Sequence, residues 1–310
     1  MGQYMSLNNI ENIHLAYLGK CKNKIMPLFY VIEPTNCCNY ACPICPNRNY
    51  RASEKGYMNM ALFKRILEQI KDFADVIQLY WVGEPLLSPS IIDMIKYCKR
   101  DTHAKIMLSS NGSLLTKETV DKIVGSGLDK LIISMDAAES NKIYNQIRTN
   151  GDIRVLNENT MEMIKRNSQI DITLQFILTN VNEEEKERFV KKWARYPVTI
   201  RIQCLYTWAN QLPELNDFSN HLSPMIGKRR RPCSDLWYKM VVHWNGQVSL
   251  CCFDWTFKNV IGDLNTQSIE DIWNSDTINR FRSAHMESNY SGLCEKCDAW
   301  ATEDEYKSLF

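Results

Sequence analysis

The chain has 310 residues, 45% of them hydrophobic and 24% charged, which is the composition of a globular protein long enough to bury a core. Its 37 Lys and Arg residues balance 36 Asp and Glu residues to a formal net charge of +1. This balance excludes the strong positive field that would favour a nucleic acid or an anionic membrane as partner.

Twelve cysteines are the unusual part of the composition. The N-terminus has no secretory signal, and no apolar run reaches the roughly 18 residues of a membrane span. We therefore expect a cytoplasmic protein that binds neither a membrane nor a nucleic acid. In a reducing compartment, clustered cysteines are more often metal ligands than disulfides.

The first cysteine group follows the first predicted strand. A lead-in over residues 1–26 precedes the buried run Phe29–Ile32, and Cys38, Cys42 and Cys45 come soon after it. A cubane iron–sulfur cluster takes four thiolates, so a loop with three leaves one iron open to a ligand that is not protein. A zinc site and simple packing of small apolar side chains are the alternatives.

Six apolar runs are predicted to be buried strands, with helical patterns between most of them. Strand-then-helix repetition indicates a parallel sheet. Six units are fewer than the eight of a closed TIM barrel, so we predict an α/β fold, a partial open barrel over residues 27–208. The predicted strands are Phe29–Ile32, Val76–Val82, Ala104–Leu108, Lys130–Met135, Ile172–Leu178 and Val198–Ile202.

One predicted helix begins after the second strand. Ser88 is expected to cap it, with Pro89 at its first position. Ile91, Met94 and Cys98 follow at helical spacing, so Cys98 is predicted to be a core residue and not a ligand.

The second, third and fourth predicted strands each end in polar or turn-forming residues. The carboxyl ends of the strands are where parallel α/β folds place their chemistry. Ordinary turn formation would explain any one of these ends. Three together favour a binding site at that edge, formed by Gly83-Glu84-Pro85, Ser109-Ser110-Asn111-Gly112 and Ser134-Met135-Asp136.

The pattern changes in the last third of the chain. Residues 209–232 contain several prolines and are predicted to be a bridging loop, and residues 233–310 a small cysteine-rich α+β domain. Four thiolates could complete a cluster there, although a zinc ribbon is the alternative. The cysteines of this second group are Cys233, Cys251, Cys252, Cys294 and Cys297.

A β-hairpin is predicted inside this small domain. Leu236–His243 and Gln247–Phe253 have strand-like composition and flank Asn245-Gly246, a strong hairpin signal. Because neighbours on a strand point to opposite faces, only one of Cys251 and Cys252 is expected to face a cluster.

The first cysteine group resembles the signature of the radical S-adenosylmethionine (SAM) enzymes, Cys-x-x-x-Cys-x-x-Cys after a first strand. Cys38, Cys42 and Cys45 match it. The resemblance implies a 4Fe-4S cluster whose open iron is chelated by SAM, and whose reduction releases a 5′-deoxyadenosyl radical. It also implies an electron donor such as flavodoxin or ferredoxin.

The same resemblance implies a set of SAM contacts. Gly83-Glu84-Pro85 is similar to a Gly-Gly-Glu-Pro motif that engages the SAM amino group, although Val82 replaces its first glycine. The backbone at Ile44 would help to hold the adenine. The residues implied near the SAM carboxylate and ribose are Ser109, Asn111, Ser134, Asp136 and Arg148.

The second cysteine group resembles the SPASM/twitch domain of that family, in its short form with one auxiliary 4Fe-4S cluster. The implied ligands are Cys233, Cys251, Cys294 and Cys297, with Cys251 chosen over Cys252. A complete set of four thiolates leaves no open iron, which favours an electron-relay or structural role.

Two reactions on a small polar substrate stay open. If the radical takes hydrogen from a carbinol carbon and the auxiliary cluster accepts an electron, the product is a ketone, as in family members acting on aminocyclitols. If a thiol returns hydrogen from the opposite face, the product is an epimer. Cys252 and Cys204 are the candidate thiols, and Cys252 favours epimerisation of a sugar-like or aminoglycoside-like substrate. A peptide substrate and a non-enzymatic zinc or iron–sulfur module are the remaining alternatives.

Overall fold

The computed structural model describes residues 2–20, 24–166, 169–218 and 230–297. Much of the predicted bridging loop, the end of the small domain and Cys21 lie outside these ranges, and the predicted domain boundaries stay predictions. The strands are β1 (Phe29–Ile32), β2 (Val76–Gln78), β3 (Lys105–Ser110), β4 (Lys130–Ser134), β5 (Asp171–Leu178), β6 (Thr199–Cys204), β7 (Lys239–Val242), β8 (Gln247–Ser249) and β9 (Val260–Asp263).

The first six strands form a parallel sheet in which neighbours in the chain are neighbours in the sheet. Within the described ranges the full order is β6-β5-β4-β3-β2-β1-β7-β8-β9, so β6 ends the sheet and does not meet β1. The sheet is therefore open. This confirms the predicted α/β fold with a partial barrel of six units and a second, cysteine-rich part.

Helices cover one face of the parallel strands. The helix after β2 buries Ile91, Met94, Ile95 and Cys98, as their spacing predicts. None of the helices in the described ranges is long and apolar enough to cross a membrane. The helices are α1 (Gly2–Tyr17), α2 (Met60–Ile70), α3 (Ile91–Asp101), α4 (Lys117–Val124), α5 (Asn141–Ile147), α6 (Ile153–Arg166), α7 (Glu183–Trp193), α8 (Asp235–Tyr238), α9 (Ile269–Trp273) and α10 (Asp276–Met286).

The predicted start of α3 is wrong by two residues. Its N-cap position is Ser90, and Ser88 belongs to the preceding turn. The amide of Ser88 donates to the carbonyl of Pro85 at 2.9 Å, which closes the short 3-10 turn Pro85–Leu87 instead of opening the helix.

The cysteine-rich part continues the same sheet. β7 pairs in parallel with β1, and β7 and β8 form the predicted antiparallel hairpin. The predicted strands around that hairpin are too long. The first of them was predicted to begin at Leu236, but this residue belongs to the single helical turn α8, which contacts α1 and α10. The second ends at Ser249, the last residue of β8. Cys251 and Cys252 thus lie in the turn after the strand, and strand alternation does not decide which of them faces a cluster.

The two faces of the sheet differ in polarity. Side chains two apart on a strand share a face. The helix-covered face carries apolar residues such as Tyr30, Ile106 and Leu131, all fully buried in the core. We call the opposite side the inner face. Its residues include Gln78, Ser109, Ser134, Thr173 and Gln175, which the strand register aligns.

Candidate functional site

The first cysteine loop leaves the sheet at the carboxyl end of β1. The amide of Cys45 donates to the carbonyl of Cys42 at 3.1 Å, which closes a turn inside the loop. The amide of Ala41 donates to the carbonyl of Thr149 at 3.1 Å. The loop is therefore shaped by its own backbone and by the segment after α5.

The three thiols of this loop lie close to one another, with Cys42 buried and Cys38 and Cys45 half-buried. Burial, together with a smaller effect of the neighbouring Cys42, raises the pKa of Cys38 to about 11 and that of Cys45 to about 12. Burial also raises the pKa of Cys42, against the opposing charge of Arg148. The thiols are protonated at neutral pH, so a metal centre must displace their protons when it binds.

The arrangement of these thiols fits one side of an iron–sulfur cluster. Among the described residues, no three His, Cys, Asp or Glu side chains converge closely enough to hold a single metal ion. A cubane binds each thiolate at a different iron, so its ligands surround the cluster and do not meet at a point. Cys42 lies close enough to Cys38 and Cys45 to raise the pKa of each, as neighbouring ligands of one cluster would.

Arg148 lies beside the cysteine loop and is held by Asp136. Its Nε donates to Asp136 Oδ2 at 2.6 Å, and its Nη1 lies 4.0 Å from Cys42 Sγ. Burial lowers the pKa of Arg148, but Asp136 and Cys42 outweigh it and the net direction is upward. The other carboxylate oxygen of Asp136 accepts the amide of Ile177 at 2.5 Å. Both Asp136 oxygens are thus engaged within the protein, and its contact to SAM stays a prediction.

Glu84 is buried at the end of the loop after β2 and is 2% exposed. Its Oε1 accepts hydrogen bonds from the Ser110 hydroxyl at 2.8 Å and the Leu86 amide at 3.1 Å. Its Oε2 accepts the Asn111 amide at 2.7 Å. These bonds fix the carboxylate between the ends of β2 and β3.

Burial gives Glu84 a measurable effect on stability. It raises the pKa of Glu84 from an ordinary 4.5 to about 7, against the opposing amide donors. The folded chain then binds this proton more tightly than the unfolded chain, so the stabilisation is complete below about pH 4.5 and is lost as the pH rises through about 7. We expect the cluster-free protein to lose up to about 3 kcal/mol over that window in urea titrations. Glu84→Gln should flatten the loss, and parallel pH curves for the two proteins would contradict the assignment.

Gly83 is needed because two backbone segments meet there. A Cβ at this position would lie 2.0 Å from the carbonyl oxygen of Thr35 and 2.8 Å from the Cα of Asn36. The amide of Glu84 donates to the carbonyl of Cys37 at 2.8 Å. The predicted Gly83-Glu84-Pro85 segment is therefore hydrogen bonded directly to the start of the cysteine loop.

The other predicted SAM contacts lie at the same edge. Ser109 and Ser134 are on the inner face, and the side-chain amide of Asn111 donates to Asn39 Oδ1 at 2.9 Å. The carbonyl of Ile44 accepts the indole N–H of Trp208 at 3.3 Å. The structure thus ties Asn111 to the cysteine loop and places Ser109 and Ser134 near the carboxyl ends of β3 and β4, while the roles of all these residues toward SAM stay predictions.

The second cysteine group forms another set of neighbouring, half-buried thiols. Burial raises the pKa values of Cys233 and Cys251 well above their ordinary range, and Cys294 and Cys297 raise both further. The amide of Cys233 donates to His285 Nδ1 at 3.2 Å. These four thiols fit the complete ligand set of an auxiliary cluster.

The second cysteine loop contacts both the loop after β2 and the segment that follows the first cysteine group. The indole N–H of Trp81 donates to the carbonyl of Cys252 at 2.9 Å, and the Tyr50 hydroxyl donates to the carbonyl of Trp255 at 2.8 Å. Cys204, the other candidate thiol, is aligned with Leu178 and shares the helix-covered face. Cys252 is therefore the better placed of the two.

Several residues of the site were missed by sequence reasoning. Ser110 lies in the polar end of the third predicted strand. Whether the hydroxyl of Ser109 or that of Ser110 faces Glu84 depends on the strand register. Trp81 and Trp208 bond to backbone carbonyls more than 160 positions away in the chain. No local pattern identifies such pairs.

Family models and relatives agree with this geometry. Residues 32–192 match the model of the radical SAM superfamily, and residues 233–298 match SPASM, an iron–sulfur cluster-binding domain. The S-adenosyl-L-methionine-dependent 2-deoxy-scyllo-inosamine dehydrogenase of Niallia circulans is 25% identical over 288 residues, which cover 89% of this chain and 95% of the relative. A cofactor-modifying protein for tungsten-containing aldehyde ferredoxin oxidoreductase from Pyrococcus furiosus is 24% identical, covering 89% and 90%.

Solved structures show the same fold. BtrN in complex with AdoMet and 2-DOIA superposes with a TM-score of 0.61 at 21% identity, covering 89% of this chain and 94% of BtrN. Streptococcus suis SuiB gives a TM-score of 0.66 at 17% identity, covering 95% and 76%. With the superfamily model matching more than half of its length, the chain belongs to the radical SAM superfamily, whose domain uses SAM and a 4Fe-4S cluster, and its SPASM domain adds auxiliary iron–sulfur binding.

Proposed function

We propose that this enzyme oxidises a secondary alcohol carbon of a small polyhydroxylated substrate to a ketone. The observation that supports it most is the contact between the second cysteine loop and the loop after β2, where the indole N–H of Trp81 donates to the carbonyl of Cys252. An electron released at the substrate then has an acceptor near the place where the radical is generated. The similarity to an aminocyclitol dehydrogenase over 89% of the chain supports the same reaction.

The chain's own residues would bind the two clusters and SAM. Cys38, Cys42 and Cys45 would hold the SAM-binding cluster, and Cys233, Cys251, Cys294 and Cys297 the auxiliary one. When bound, these groups supply the 5′-deoxyadenosyl radical and an electron acceptor with no open iron. Glu84, Ser109, Ser134 and Arg148 would position SAM at the carboxyl edge. The initial electron would come from a flavodoxin or ferredoxin.

Turnover in deuterated water tests this function. Cluster-reconstituted protein is incubated anaerobically with SAM, a reductant and a panel of polyols headed by 2-deoxy-scyllo-inosamine. We expect a ketone without solvent deuterium and about one deoxyadenosine per ketone, because hydrogen leaves the carbon and is not returned. Cys252→Ala should still make the ketone. Deoxyadenosine without any oxidised polyol would reject the proposal.

Epimerisation is the second candidate, and the position of Cys252 favours it. This half-buried cysteine directly follows Cys251 in the loop that Trp81 holds against the SAM side. If its thiol returns a hydrogen atom, the product is an isomer that carries one solvent deuterium. Cys252→Ala would then stop product formation while deoxyadenosine still appears.

A further inference from the structure

We propose that Glu33 and His243 form an ammonium-binding subsite on the inner face of the sheet, so that the substrate is an amine-bearing polyol. The inference rests on the proposed function, because it takes a small polyol as the substrate. Neither residue is among the implied SAM or cluster contacts. Both side chains are fully buried, with 0% exposure.

The pairing of β1 with β7 places these two residues side by side. Ile32 is aligned with Val242, and the amide of Glu33 donates to the carbonyl of Val242 at 2.9 Å, so each residue directly follows the end of its strand. Continuing the strand alternation puts both on the inner face, in the same row as Ser109 and Thr173. They therefore lie on the same face of the sheet as Ser109 and Ser134, two of the implied SAM contacts.

Only one of the two carboxylate oxygens of Glu33 accepts a hydrogen bond from the described residues. Its Oε2 accepts the amide of Trp244 at 3.3 Å and lies 3.4 Å from His243 Nδ1. Its Oε1 has no hydrogen-bond partner among the described residues, and neither does His243 Nδ1. A buried carboxylate oxygen without a donor costs free energy, so this site calls for a donor that the described chain does not supply.

Two aromatic rings pack against the His243 member of the pair. The ring centroids of Trp81 and Phe257 lie 4.5 and 4.4 Å from that of His243. A carboxylate combined with aromatic faces is the chemistry that binds ammonium groups, because the ring quadrupole and the negative charge both favour a cation. A neutral hydroxyl would gain less, since hydrogen bonds to charged partners are the stronger ones.

The subsite also lies next to the auxiliary cysteine group. His243 Nε2 is 2.9 Å from the hydroxyl of Ser249, which donates to the carbonyl of Cys251 at 3.1 Å. An amine bound at Glu33 would therefore hold the substrate ring between the two cysteine loops. This gives a carbinol carbon on that ring a fixed position relative to both.

Calorimetric titration of the reconstituted, SAM-loaded protein without reductant tests the subsite. The probes are 2-deoxy-scyllo-inosamine and the same ring with a hydroxyl in place of its amine. We expect the wild type to bind the amine about tenfold more tightly or better. Glu33→Gln should remove this preference, and Glu33→Asp should keep part of it. Glu185→Gln is the control, because Glu185 is also buried but bonds to the amides of residues 138–140.

Each result decides the inference. Equal binding of the two probes by the wild type would overturn it even if Glu33→Gln does not fold, because the site would then not distinguish an ammonium group from a hydroxyl. Absence of binding by either probe, or an amine preference that survives in a folded Glu33→Gln variant, would also overturn it. Ketone formation without an amine preference would contradict the subsite but would still support the proposed function. An amine preference without oxidation of the substrate would support the subsite and contradict the proposed function.

Discussion

Cys42→Ala should abolish SAM cleavage and halve the iron content, from about eight to about four irons per chain. Cys42 is the central thiol of the first loop, is 6% exposed, and is the one that raises the pKa values of both its partners. With only two thiolates the cubane would have two open irons instead of one, so the site should not retain its cluster. Iron and sulfide analysis with electron paramagnetic resonance measures the loss, and deoxyadenosine formation reports the activity.

Two matched variants make this result specific. Cys98→Ala removes a fully buried thiol of α3 and should keep about eight irons and full SAM cleavage. Cys294→Ala should remove only the auxiliary cluster and leave SAM cleavage measurable. A Cys42→Ala protein that keeps both clusters would show that the first loop is not the SAM-binding site.

Asp136→Asn should destabilise the protein by about 3–5 kcal/mol, because it leaves the charge of Arg148 buried without a counterion. Asp136 is 0% exposed and the Arg148 side chain 12%, and their contact is 2.6 Å. Arg148 should also lose its fixed position near Cys42, so SAM affinity should fall with stability. Urea unfolding of the cluster-free protein and equilibrium SAM binding of the reconstituted protein are the two measurements.

A double variant separates charge from packing in this pair. Asp136→Asn combined with Arg148→Gln removes both charges, so it should recover part of the lost stability while SAM affinity stays low. Asp152→Asn breaks the exposed contact with Arg154 and should change neither measurement. If Asp136→Asn is as stable as the wild type, the buried pair has been assigned wrongly.

The amino-acid sequence by itself determined the class of fold and the two sets of candidate ligands. Each of these signals is local: Cys38, Cys42 and Cys45 lie within eight residues, and the buried strands and α3 follow from spacing over a few turns. The hairpin between β7 and β8 was also predicted, because Asn245-Gly246 carries its own turn chemistry.

Only the tertiary structure decided how these local pieces meet. The parallel pairing of β1 with β7 joins residues about 210 positions apart, and with it come the Glu33–His243 pair and the contact of Trp81 with Cys252. It also showed that Asp136 holds Arg148, and that Cys251 and Cys252 lie in a turn after β8. Long-range register depends on how the whole sheet packs, and a periodic pattern within one segment carries no information about its distant neighbour.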